Sequence, residues 1–163
     1  MSVDQVRLET ESEQGNAFVV SAISQTATQI LPRIDSELRA SHGLSLPAYA
    51  VLTLLSERKG ERLTMSELAK VAGMSPAGVT RVMQRLDHAG LVERERDTAD
   101  RRPLFATLTA AGEQRLGEAG PTYAEAVHRH LTTFGDPGEI DVVSRVLRRA
   151  LEAQANGPGP LVD

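Results

Sequence analysis

The sequence predicts a mainly α-helical fold with one small β-hairpin set among its helices, and three observations predict it. Apolar residues recur at three- and four-residue spacing along most of the chain, as in Ile23, Ala27, Ile30, Ile34 and Leu38. That period gives way between residues 91 and 108, where two extended runs flank the turn chemistry Asp97-Thr98-Ala99-Asp100. Immediately before it, residues 64–89, TMSELAKVAGMSPAGVTRVMQRLDHA, read as two short helices joined by a tight turn. A helix-turn-helix followed by a hairpin is a winged helix, and here apolar-striped helices stand on both sides of it.

Residues 1–15 are polar and acidic with no apolar stripe, which predicts a disordered N-terminal tail. Residues 16–44 form the first long helix, with Asn16 as its cap; Pro32 removes one backbone donor and predicts a kink rather than a break, because the stripe stays in phase on both sides. His42-Gly43 ends it. Ser45 and Pro47 start a second helix whose buried face is Ala48, Val51, Leu52 and Leu55, and Arg58, Lys59 and Gly60 close it. Arg62-Leu63 fits a short strand.

Thr64 with Glu67 is a capping box, and Leu68, Ala69, Val71 and Ala72 give the next helix a small apolar face. Gly73 makes the turn. Ser75 caps the following helix, with Pro76 at its first position, where a missing N–H costs nothing. In that helix Val79, Val82, Met83 and Leu86 recur at packed spacing, leaving Ala77, Gly78, Thr80, Arg81, Gln84, Arg85 and His88 outward.

Gly90 stops this helix. The hairpin pairs residues 91–96 with 104–108 and places Arg94, Arg96, Arg101 and Arg102 on or beside its tip. Thr109 begins a long helix striped by Leu116, Ala119, Tyr123, Val127, Leu131 and Phe134, with a weak point at Gly120-Pro121. Asp136-Pro137 caps a last helix carrying Ile140, Val143, Leu147 and Leu151. The domain plan is thus a tail at 1–15, a dimerisation helix at 16–44, a winged helix-turn-helix at 45–109, dimerisation helices at 110–154 and a flexible Gly/Pro tail at 155–163.

Composition narrows the chemistry. A 40% hydrophobic fraction supports a core, built mainly from Leu, Val, Ile and Ala because aromatics make up 3%. Without cysteine the chain has no disulfide, thiolate metal site or thiol switch, which fits a reducing, cytoplasmic setting; no membrane segment and no export leader are read. The net charge of −4 is unevenly spread. Residues 58–102 hold ten Lys or Arg against seven Asp or Glu, net +3, and the rest is net −7. The positive field therefore centres on the two-helix motif and the hairpin.

A helix with one packed face and one small, basic face suits the major groove, about 12 Å wide, where Arg and Gln reach base edges. The flanking helices carry apolar stripes that a winged helix does not need for its own core. A second copy is the economical way to bury them, and a symmetric dimer suits a palindromic site on double-stranded DNA. Taken alone, the two-helix stretch also fits an ordinary helical hairpin, and the β-hairpin also fits a solvated edge.

The element order, with LSLPAYAVLTLL and then LTMSELAKVAGMSPAGVTRVMQRLDHAGLVERERDTADRRPLFATLTAAG, resembles the MarR family of bacterial transcriptional regulators. The resemblance implies a mainly α fold with a β-hairpin wing, a winged helix-turn-helix inside a helical homodimerisation lobe, and a repressor released by a small molecule. It puts DNA contacts on Ser75, Pro76, Gly78, Thr80, Arg81, Gln84 and Arg85. On the wing it implies that Asp100 orients Arg102 into the minor groove, with Arg94, Arg96 and Arg101 nearby. The peroxide-sensing subgroup relies on a cysteine, which this chain lacks.

His128 and His130 lie two apart on a helix and cannot share an ion, and His42 and His88 have no nearby partner in sequence, so no metal site and no cofactor is expected. With no phosphate loop, nucleophile elbow or carboxylate pair, no enzyme is expected. The alternative is a winged-helix module for dimerisation or protein contacts without DNA binding. For an effector, His42 and Tyr49 offer hydrogen bonds at the junction of the first two helices, as a pocket for a small aromatic or phenolic acid requires.

Overall fold

The computed structural model describes residues 3–59, 61, 63–96, 104–131 and 135–156, with backbone alone at 3–17, 95–96, 104 and 154–156. Two compact units divide the chain, Met1–Ala124 and Glu125–Asp163. Among the described residues no helix is long and apolar enough to cross a membrane.

In the first unit α1 (Val3–His42) begins well before Asn16 and passes through it, so the expected cap there does not form. The segment DQVRLETESEQ has no proline and is rich in good helix formers, which carries the helix through the acidic stretch read as a tail. The helix is unbroken across Pro32. Its stripe divides in two: Ile30, Ile34 and Leu38 are buried, whereas Ile23 is exposed, together with Phe18, Val19, Val20 and Leu31.

The second helix, α2 (Leu46–Glu57), is anchored twice at its start. Ser45 Oγ accepts the Ala48 N–H at 3.2 Å, and Asp35 of α1 accepts the Leu46 N–H at 2.7 Å. Both acceptors satisfy N–H groups that a helix start leaves unpaired. Ala48, Val51, Leu52, Leu54 and Leu55 are buried; Leu54 was not expected, and its burial makes α2 a helix packed on more than one side.

Beyond Glu61, β1 (Leu63–Thr64) leads into α3 (Met65–Val71) through the capping box: Glu67 N–H donates to Thr64 Oγ1, and the Thr64 N–H donates to Glu67 at 2.7 Å. The first helix of the motif buries Leu68 and Ala69, but Val71 is exposed rather than packed. It lies about 160° around the helix from Ala69, on the far side of Leu68 from that other member of the buried pair. Gly73 then sits at φ +61, where L side chains are strained, and the Met74 N–H closes on Ala69 O at 2.9 Å.

The turn delivers α4 (Pro76–His88), which buries Val79, Val82, Met83 and Leu86, the four residues its spacing predicts. The wing strands β2 (Val92–Arg96) and β3 (Leu104–Leu108) pair antiparallel, with Arg94 opposite Ala106, and β1 pairs on the other edge of β3 to give the order β1-β3-β2. Ala106, fully buried, faces Leu63 on one side and Arg94 on the other.

Thr109 ties the start of the next helix to the turn that follows α4. Its N–H donates to Leu91 O at 3.2 Å, its hydroxyl donates to Gly90 O at 2.8 Å, and its Oγ1 accepts the Gly112 N–H at 3.0 Å as the cap of α5 (Ala110–Leu131). Gly112 is required by this approach: a Cβ there would lie 2.1 Å from Leu91 O. The expected weak point at Gly120-Pro121 does not interrupt α5.

In the second unit Asp136 caps α6 (Pro137–Asn156), accepting the N–H groups of Gly138 at 2.8 Å and Glu139 at 3.0 Å, while Glu139 accepts the Asp136 N–H at 3.0 Å. Val142, Val143, Val146, Leu147 and Leu151 along it are exposed. Gly60, Arg62 and Phe134 lie outside the described residues.

Candidate nucleic-acid interface

The surface begins at the start of α4. Ser75 Oγ accepts the Gly78 N–H at 3.1 Å, Ser75 O accepts the Val79 N–H at 3.0 Å and Pro76 has no N–H to satisfy, and the first turn carries only small groups. Ala77 and Thr80 are exposed and Gly78 half-buried. Thr80 donates its hydroxyl hydrogen to Pro76 O at 2.9 Å, which leaves it acceptor capacity and a methyl group for a partner.

One turn on, Arg81, Gln84, Arg85 and His88 are exposed. Among the described residues no carboxylate pairs with Arg81 or Arg85. Two unengaged guanidiniums beside a carboxamide, on a helix whose opposite face is locked by Val79, Val82, Met83 and Leu86, form a rigid cationic ridge with a small leading edge. Such a ridge can hold phosphates and donate to the acceptor edges of guanine or adenine.

The wing residues fall into three groups. Arg94 does not face outward from the tip: its Nε donates to Asp87 Oδ2 at 2.8 Å, and a second guanidinium nitrogen closes on the same oxygen. With both side chains about one-third exposed, this joins the last turn of α4 to the middle of β2. Arg96 ends β2 opposite Leu104, with its side chain outside the described residues. Asp100, Arg101 and Arg102, expected at the tip, lie outside them too. Asp87 was missed by sequence reasoning; its spacing of seven from Arg94, across the Gly90 turn, was the available signal.

A cleft of about 380 Å³ opens between α2, the end of α3 and α5. Tyr49, Thr53 and Glu57 line it from α2, Val71 and the C-cap residue Ala72 from the end of α3, and Tyr123 from α5. The Tyr49 and Tyr123 rings are stacked, with centroids 4.5 Å apart and planes at 27°. Burial pushes the Tyr49 phenol up, helped by Tyr123 and opposed by Thr53, so the ring stays neutral near pH 7. His42 is not among the described lining residues. Its Nε2 lies 2.8 Å from Thr122 Oγ1, and its carbonyl accepts from Arg115 at 2.8 Å, so it fastens the end of α1 to α5. Tyr123, read in the sequence as one more stripe residue, takes the place expected for His42. Stripe periodicity does not separate a ring that fills a core from one that walls a cleft.

Residues 42–103 match the model of a family described as the MarR family. The chain is 34% identical over 110 residues to an HTH-type transcriptional repressor of Mycobacterium tuberculosis, covering 68% of this chain and 74% of that protein. It is 31% identical over 108 residues to the HTH-type transcriptional repressor YetL of Bacillus subtilis, a match covering 66% of this chain and 64% of YetL's length. Among solved structures, Sco3205, a MarR family transcriptional regulator from Streptomyces coelicolor in complex with DNA, superposes with a TM-score of 0.74 at 28% identity, over 85% of this chain and 86% of that one.

Proposed function

The chain belongs to the MarR family, and from that membership we propose that it is a sequence-specific DNA-binding transcriptional repressor that holds a palindromic operator as a homodimer. The observation that carries the reading is the sorting of α4: four apolar residues locked inward, and Arg81, Gln84 and Arg85 presented outward without carboxylate partners among the described residues. Ser75, Pro76, Gly78 and Thr80 let the helix start approach the groove. Arg96, Asp100, Arg101 and Arg102 of the wing reach the flanking backbone or minor groove, and Arg94 acts behind them through Asp87. The domain plan follows: residues 45–109 read DNA and the helices outside them make the dimer.

Exposed apolar residues support the dimer, Phe18, Val19, Val20 and Ile23 on α1 and Val142, Val143, Val146, Leu147 and Leu151 on α6. A dimer sets its two recognition helices about 34 Å apart, one turn of the duplex, which is the geometry a palindrome requires. The cleft at Tyr49 and Tyr123 supports release by a small aromatic molecule: it lies between α2 and the first helix of the reading motif, so an occupant would bias the placement of α3 and α4.

Fluorescence anisotropy with a labelled fragment from upstream of the chain's own gene tests this. Binding should outlast a competing scrambled duplex, weaken steeply with salt, and protect a two-fold symmetric footprint. Equal affinity for operator and scrambled DNA at every salt concentration would exclude sequence-specific regulation.

A further inference from the structure

The cleft between α2, α3 and α5 has a charge character of its own. Glu57 stands exposed at its rim, and among the described residues that line it there is no Lys, Arg or His. Tyr49 and Tyr123 contribute aromatic surface, while Thr53 gives its hydroxyl hydrogen to Tyr49 O at 3.0 Å and so turns acceptor capacity toward a guest. An anion entering this space would leave water for a wall with no counter-charge and one like charge. A cation meets the Glu57 carboxylate there instead, while its aromatic ring packs against exposed tyrosine surface.

We propose that this cleft binds a flat aromatic cation, of the arylalkylammonium class, with its ring against the Tyr49–Tyr123 pair and its ammonium group toward Glu57. The proposal rests on the reading of the cleft as the effector site, and it replaces the aromatic acid expected from the sequence. Ring centroids 4.5 Å apart leave no room for a third ring between the tyrosines, so the guest lies along the outer side of the pair. Val71, turned outward at the end of α3, supplies the apolar wall opposite.

The chain contains two tyrosines and no tryptophan, and both tyrosines line this cleft, so their ring resonances in an NMR spectrum report on it alone. The full chain is titrated with naphthylmethylammonium, naphthylmethanol and naphthoate, which match in shape and differ in charge. The ammonium should shift both tyrosine signals and bind about fivefold to tenfold more tightly than the alcohol, the size of a single charge interaction at a solvated rim. Naphthoate should bind more weakly than either, and Glu57→Gln should bring the ammonium level with the alcohol. Naphthoate binding as tightly as the ammonium, or an advantage that survives Glu57→Gln, overturns the charge assignment while leaving the effector site standing. If none of the three moves either tyrosine signal, the effector reading of the cleft falls with it.

Discussion

Arg94 reaches back from β2 to place Nε 2.8 Å from Asp87 Oδ2, on the last turn of α4. Two guanidinium nitrogens converge on that one oxygen, so the pair fixes a direction as well as a distance. It spans the Gly90 turn, where the Leu91 N–H already closes on Leu86 O at 2.9 Å. The wing is thereby hinged to the recognition helix by backbone on one side and a charged pair on the other.

Removing Asp87 takes a negative charge away from a surface proposed to meet phosphates, so electrostatics alone predicts tighter DNA binding. The brace predicts the reverse, because the wing loses its alignment to α4. Asp87→Ala and Arg94→Ala should each weaken operator binding, and a double-mutant cycle in urea unfolding should give a coupling of about 1 kcal/mol, the upper range for a pair this exposed. Tighter operator binding by Asp87→Ala would remove the brace from the reading mechanism.

On α4 itself, Arg81, Gln84 and Arg85 should separate by role. A residue that reads a base costs about 1–3 kcal/mol when replaced by alanine and relaxes preference at one position, whereas a phosphate contact weakens all sequences alike and lowers the salt slope by about 1. At least one of the three should behave as a base reader in a selection over randomised operators. Three alanine variants with wild-type affinity and preference would exclude this face.

Much of this surface was legible in the sequence because it follows from period and caps. Val79, Val82, Met83 and Leu86 are buried as their spacing requires, and Thr64, Ser75 and Asp136 cap helices as their side chains allow. What escaped were relationships between distant residues. The Asp35 contact with the start of α2 and the meeting of Tyr49 with Tyr123 depend on how helices cross, which no local pattern encodes. The start of α1 escaped for another reason. Helix propensity alone carries it from Val3, where the stripe that usually marks a helix is absent.

Gly112 provides a test of the close approach between α5 and the end of α4. A Cβ at this position would lie 2.1 Å from Leu91 O and 2.7 Å from Leu108 Cδ1, and a backbone carbonyl cannot rotate away. Gly112→Ala should cost about 1–3 kcal/mol in urea unfolding, as overpacking does, although alanine is the better helix former. Unchanged or higher stability would show that Leu91 and α5 separate readily.

Asp35 links α1 to the start of α2 in a pH-dependent way. Burial by itself would raise its carboxyl, but the Arg39 side chain and the Leu46 N–H act the other way, and the net result lies below the ordinary value of 3.8. A carboxylate whose folded pKa is depressed adds stability that is complete above the unfolded value and is lost as pH falls through the folded one. Wild type should therefore exceed Asp35→Asn in stability at pH 7, and the gap should begin to narrow below about pH 4 and close as the pH falls through the lower folded value. A gap that persists unchanged at pH 2 would mean that the carboxylate charge has no part in it.

The dimer is tested on α6, where spacing and exposure agree. Val143, Leu147 and Leu151 follow one another at intervals of four, with Val142 and Val146 beside them, and all five are exposed, Leu151 at 67%. A helix cannot hide such a stripe from water by itself, and each of these side chains gains about 1.5–3 kcal/mol when fully buried. A second copy of the chain buries the stripe twice over and supplies the second recognition helix that a palindrome needs. Wild type should sediment as a dimer, and the Leu147→Asp, Leu151→Asp variant as a monomer, since each carboxylate left unpaired in an apolar interface is costly. The α4 surface of that monomer is untouched, so it should still bind a half-site weakly but lose the steep affinity for the full operator. A folded variant that remains dimeric would move the interface away from α6.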